Sequence, residues 1–152
     1  MKKILVVLTV ISIVTLSLTA TSFAQKGAMK WKGSGGWGPG TPYNRMYDPA
    51  KAETISGTVE AVTQVTPMKG MYPAVAVTLK TDKETISVHL GPEWYISRLD
   101  TKVEKGDKIE VKGARTTFFG KPAIISAEVK KGDTTLVLRD AQGVPVWSGW
   151  RR

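Results

Sequence analysis

From Thr54 onward the apolar residues of this chain recur at every second position, a period that builds half-buried strands and not amphipathic helices. In the first long segment Ile55, Val59, Ala61 and Val65 share one face, and Thr54, Ser56, Thr58 and Glu60 share the other. Gly57 within it marks a bend or bulge. After a loop from Pro67 to Pro73, Val75, Val77 and Leu79 alternate with Ala74, Ala76 and Thr78 in a second strand. The polar Thr81-Asp82-Lys83-Glu84 turns into a third, where Ile86, Val88 and Leu90 alternate with Ser87 and His89. That parity predicts that His89 projects away from the core.

The period then breaks. Gly91 to Leu99 has Pro92 at a first helical position and Ile96 and Leu99 at helical spacing, which predicts one short helix. Lys105-Gly106-Asp107 turns into a fourth strand through Ile109 and Val111. Phe118-Phe119-Gly120-Lys121-Pro122 closes a hairpin to a fifth through Ile125, Ala127 and Val129, and a further short strand runs from Thr135 to Leu138. Three strands, a helix and two strands is the order of an OB-fold. The expected fold is therefore all-β with one short helix: a five-stranded OB-fold-like Greek-key barrel over residues 53–140, with an irregular β-sandwich as the alternative.

The flanks differ in composition. Residues 25–52 are rich in Gly, Pro and aromatics, which predicts an irregular, extended arm with no regular helix or strand. Its aromatics are expected to pack on the barrel or on a partner. Residues 141–152 form an aromatic and basic tail expected to pack on the barrel or the arm. Residues 1–24 combine Lys2-Lys3, an apolar run and a small-x-small ending at Ala24, the pattern of a signal peptide cleaved after Ala24. The expected location is periplasmic, with no membrane-spanning segment after cleavage; an uncleaved anchor is the competing reading.

The formal charge of +9 falls to +7 without Lys2 and Lys3. The basic residues are scattered and often neighbour acids, so they read as a solvated surface more than a polyanion track. With no cysteine, disulfides, thiolate metal sites and covalent haem attachment are excluded. His89 is the single histidine, no serine carries a nucleophile motif, and the glycines of the arm do not form a phosphate loop; the expectation is a protein that is not an enzyme. Met68, Met71 and His89, with Trp94 nearby, make the one metal-like set, suited to Cu(I), so copper is the one cofactor suggested. The same methionines are also ordinary packing residues. Lys30-Trp31-Lys32 and the segment from Trp147 to Arg152 could stack bases of a single-stranded nucleic acid, a role that export disfavours.

Several stretches, taken together, resemble a known group of exported bacterial proteins. They are Gly36-Trp37-Gly38-Pro39-Gly40, Pro42-Tyr43-Asn44-Arg45, Val88 to Tyr95, Lys121 to Ile125, Leu138-Arg139-Asp140 and Val144 to Trp147. The pattern is similar to the periplasmic domain of the MamS/MamX magnetosome-protein family. The resemblance implies an OB-fold in redox or metal-handling surroundings, through the family's haem-carrying members; the missing Cys-x-x-Cys-His motif keeps a haem role from carrying over. It also singles out His89, Gly91, Pro92 and Trp94 as a unit. The expected function is an accessory protein that binds a partner protein, a membrane or periplasmic redox or metal-handling component. The candidate binding residues are His89, Trp94 and Tyr95, with Trp37, Tyr43 and Arg45 in the arm.

Overall fold

The alternating segments become six strands: β1 (Ala52–Val65), β2 (Ala74–Lys80), β3 (Thr85–Pro92), β4 (Lys108–Phe118), β5 (Lys121–Lys131) and β6 (Thr134–Val137). The computed structural model describes residues 35–148. The expected leader, Lys30 to Lys32 and Trp150 to Arg152 lie outside the described residues. The strands form one sheet in the order β3-β2-β1-β4-β5-β6, and β3 also pairs in parallel with β5 through Ser87, Val88 and His89. All other pairings are antiparallel.

β1 serves two partners. Its residues 52–58 pair with β4 and its residues 58–65 with β2, changing partner at Thr58. The register slips between Val59 and Ala61, so the expected irregularity falls just beyond Gly57. Gly57 serves a different need: a Cβ there would run into the carbonyl oxygen of Lys80, so only glycine lets β2 approach so closely. Ala61 and Val65 stay on the inner side with Ile55 and Val59, and Val62 is exposed, as the alternation predicts.

Two single-turn helices flank the sheet. α1 (Pro42–Arg45) lies in the arm, where no regular structure was expected. Thr41 caps it, accepting from Asn44 N and donating to Gly38 O, and Pro42 occupies the first turn, where its missing N–H costs nothing. The expected second helix is α2 (Glu93–Ile96), between β3 and β4. No helix among the described residues is long and apolar enough to cross a membrane.

The core joins the strands to the two flanks. Trp37 and Tyr43 from the arm and Trp147 from the tail are each 1% exposed and lie in one apolar cluster with Val77, Leu79, Val88 and Ile124. Trp147 Nε1 donates to Trp37 O, and Trp37 Nε1 donates to Tyr72 O. Trp37 and Tyr43 of the arm and Trp147 of the tail are therefore core residues.

Candidate functional site

Ser87 and His89 lie two apart on β3 and share one face of the strand. That face is covered. Tyr43 of α1 places its phenol oxygen 3.1 Å from His89 Nδ1, and Phe118, the last residue of β4, stacks on the imidazole at 4.9 Å. His89 is consequently 4% exposed, a correction to the outward position that the alternation implies. The parity of β3 is right, but its outer face is roofed by residues from the arm and the β4–β5 hairpin.

What exposure His89 retains opens onto a cleft of about 280 Å³. Val65 to Pro67 form one wall, Phe118, Phe119 and Lys121 to Ala123 the other, with Ser87 and His89 between them. His89 Nε2 and the Ser87 hydroxyl have no hydrogen-bond partner among the described residues. Phe119 stands at the hairpin tip, 83% exposed, with a left-handed φ of 53° next to Gly120 at 74°.

Behind the imidazole sits an unpaired cation. Arg139, 2% exposed, donates from Nη1 to Ser126 O and from Nε to Asn44 Oδ1, and lies over the rings of Trp147 and Tyr47 at 5.2 and 5.5 Å. No carboxylate is within ion-pair distance of it among the described residues. Ser126 Oγ in turn donates to His89 O. Burial first, then the Arg139 charge, pushes the His89 pKa down to about 4, so the ring is neutral at ordinary pH. Burial pushes the Tyr43 phenol above its ordinary range, so it stays protonated.

The other expected site residues do not converge on this cleft. Trp94 and Tyr95 of α2 are buried, and Tyr95 packs on Trp147 at 5.4 Å. Gly91 admits that indole, since a Cβ would lie 2.9 Å from Trp147 Cζ3. The unit His89, Gly91, Pro92 and Trp94 thus splits, with His89 toward Tyr43 and the cleft, Gly91 against Trp147 and Trp94 against Tyr95. Trp37 and Tyr43 are core residues, so neither presents a surface to a partner. Arg45 is exposed at the end of α1. Met68 and Met71 pack against the core, Met71 against Gly36, and neither lines the cleft. Among the described residues no three His, Asp or Glu side chains cluster as a metal site.

A model of the MamS/MamX magnetosome protein family matches residues 51–136, more than half of the chain. The chain belongs to that family. No curated protein matches it. The MamS/MamX span holds β1 to β5, most of β6, and both walls of the cleft with His89. Tyr43, Trp37, Arg139 and Trp147, which roof and back the imidazole, lie outside it.

Sequence reasoning missed Ser87, Phe118, Phe119 and Arg139. For Phe119 a signal existed: a large aromatic followed by glycine occupies a two-residue hairpin, where left-handed residues such as asparagine are favoured. Arg139 gave none, since nothing local distinguishes a buried arginine from a solvated one.

Proposed function

We propose that this MamS/MamX chain is an exported, non-enzymatic accessory protein of the magnetosome system that holds a protein partner by taking one of its side chains into the cleft over His89. The scaffold is read as an OB-type barrel. Supporting it, strands β3-β2-β1-β4-β5 return to β3 through the parallel β3–β5 contact, β1 is shared between both halves, and a helix lies between β3 and β4. In such barrels the loops β1–β2 and β4–β5 flank the binding face, and here those loops form the two walls of the cleft.

One observation carries the reading: an apolar cleft ends on a neutral imidazole whose Nε2 has no internal partner. His89 Nε2 is not sealed in, so it is available to pair with a polar group that enters the cleft. The volume argues for a single side chain, since pockets for cofactor-sized ligands run to roughly 300–1,000 Å³. An enzymatic role finds no support in the site, where among the described residues the His89 ring is hydrogen-bonded to Tyr43 and not to the Ser87 hydroxyl, and no carboxylate orients it. Association with redox or metal-handling components follows from the family alone. Copper bound by His89 with Met68 and Met71 gains no support from the cleft, whose walls include neither thioether.

Site-specific photocrosslinking in the native cell tests the proposal. A benzophenone amino acid is placed at Phe119 or, as a control, at the exposed Lys112 outside the cleft. One adduct with an envelope protein from position 119, absent from 112, is the expected result. The same adducts from both positions, or none from 119, would remove the cleft as the partner site.

A further inference from the structure

We propose that the cleft is a receptor for a tyrosine side chain of the partner, the ring lying between Phe118 and Pro67 and the phenol oxygen accepting from His89 Nε2–H while its hydroxyl donates to Ser87 Oγ. This rests on the partner-binding reading above and names the chemistry that it selects.

The hydrogen-bond inventory at the floor leads to this. Tyr43 is enclosed, and its phenol has one partner, His89 Nδ1. Were Nδ1 to carry the proton, the phenol hydrogen would be left buried without an acceptor, a cost on the scale of a lost hydrogen bond. The phenol therefore donates to Nδ1, and in the neutral ring the proton sits on Nε2. The cleft thus offers one fixed N–H donor. Ser87, on the same strand face two residues earlier, supplies a hydroxyl free to accept.

A ligand that satisfies both must have an apolar, flat body and a tip that accepts and donates through one atom. Phenylalanine fits the walls but leaves both polar groups unpaired. A carboxylate could accept from Nε2 but would have to shed its water between apolar walls. A phenol meets every requirement, and Lys121 at the mouth favours an acidic neighbour in the partner chain. The same tautomer is wrong for metal binding, because the Nε2 lone pair that a metal needs is used by the proton.

The test is an NMR titration of the full chain, isotopically labelled, with N-acetyl-tyrosinamide and with N-acetyl-phenylalaninamide. The imidazole nitrogen shifts should show a protonated Nε2 and a bare Nδ1. The tyrosine compound should bind at least about tenfold more tightly than the phenylalanine one, since its phenol makes two neutral hydrogen bonds that the other lacks, each worth at least a few-fold. Ser87→Ala, at a half-buried position that leaves the core intact, should shrink that preference several-fold. His89→Gln, whose amide reaches the place of Nε2, should retain the preference, His89→Asn, which reaches only the place of Nδ1, should shrink it several-fold, and His89→Asn with Ser87→Ala should abolish it. Equal binding of the two compounds overturns the tyrosine assignment and leaves a side-chain cleft standing. Binding of neither, at the solubility limit, overturns both. A bare Nε2, with Cu(I) shifting it, overturns the assignment in favour of a metal.

Discussion

Two aromatic groups of this molecule are built from similar residues and treated in opposite ways. The clasp of Trp37, Tyr43 and Trp147 comes from the two flanks of the chain and is shut inside, each residue about 1% exposed and the Trp147 indole N–H donating to the Trp37 carbonyl oxygen. Phe118 and Phe119 lie on adjacent positions of one hairpin, yet Phe118 is buried against His89 and Phe119 stands 83% exposed on a strained backbone. The clasp spends its aromatic surface on stability; the hairpin tip leaves its surface unspent at the mouth of a cleft. Aromatic content alone therefore says little about which residues meet a partner.

The sharpest way to break the contrast is to open the clasp. Trp147→Ala removes a fully buried indole, its bond to Trp37 O and its contact with the Arg139 guanidinium. A loss of about 3–5 kcal/mol is expected in denaturant unfolding, the usual cost of deleting a large core aromatic. Trp150 and Trp31, outside the described residues, provide the comparison, since Trp150→Ala should cost far less if the clasp ends at Trp147. A loss under about 1 kcal/mol for Trp147→Ala would mean that the tail merely rests on the sheet.

A second effect reads the cation between the two groups. His89 is held down at about 4 from its ordinary 6.5, by burial and then by Arg139. Between those values the unfolded chain takes up a proton that the folded one refuses, so stability is complete above about pH 6.5 and falls as pH drops toward 4. The amplitude is at most about 3.5 kcal/mol, at about 1.4 kcal/mol for each unit. Tyr43, Phe118, Ser126 and Arg139 are the groups that surround the ring, and none of them titrates in that window. Denaturant midpoints from pH 4 to 7 should slope in the native protein and flatten in His89→Gln. Arg139→Met should shift the His89 titration upward, and an unmoved titration would leave burial as the whole cause.

How much of this was legible depended on how local the cause was. The strands could be read because alternation is carried by neighbouring residues, as in Val75, Val77 and Leu79, and the turn at Thr81 to Glu84 because its hydroxyl and backbone bonds are local. The helix after Pro92 was legible for the same reason, although it stops at Ile96. Resemblance supplied the family, and alternation gave the parity of His89. Its burial was hidden, because Tyr43 and Phe118, which cover it, lie 46 and 29 positions away, and no period encodes a roof made of distant segments. The arm misled for a related reason: Gly and Pro forbid long elements, but Thr41-Pro42 still caps a single turn, and Trp37, Tyr43 and Tyr47 were core rather than contact surface. Arg139 was invisible because its solvent is replaced by Ser126 O, Asn44 and two rings that only the fold assembles.

The smallest effect is the most discriminating, because its sign differs between the two aromatic groups. Phe118 pairs with Lys121 across a loop of two residues, Phe119 and Gly120, both with left-handed φ. Such loops favour Asn-Gly, and a residue with a large β-carbon substituent pays about 1 kcal/mol to sit there. Phe119 recovers little of this by packing, since most of its ring faces solvent. Phe119→Asn should therefore raise stability by about 0.5–1 kcal/mol in denaturant unfolding, while weakening the cleft's hold on N-acetyl-tyrosinamide because one wall is lost. Every aromatic of the clasp should show the reverse, destabilising when replaced. A stabilising substitution at a position that also weakens binding is the mark of a residue kept for contact at the expense of the fold. Should Phe119→Asn destabilise instead, the tip would belong with the clasp, its exposed ring contributing to the fold through contacts with Val65 to Pro67 across the cleft.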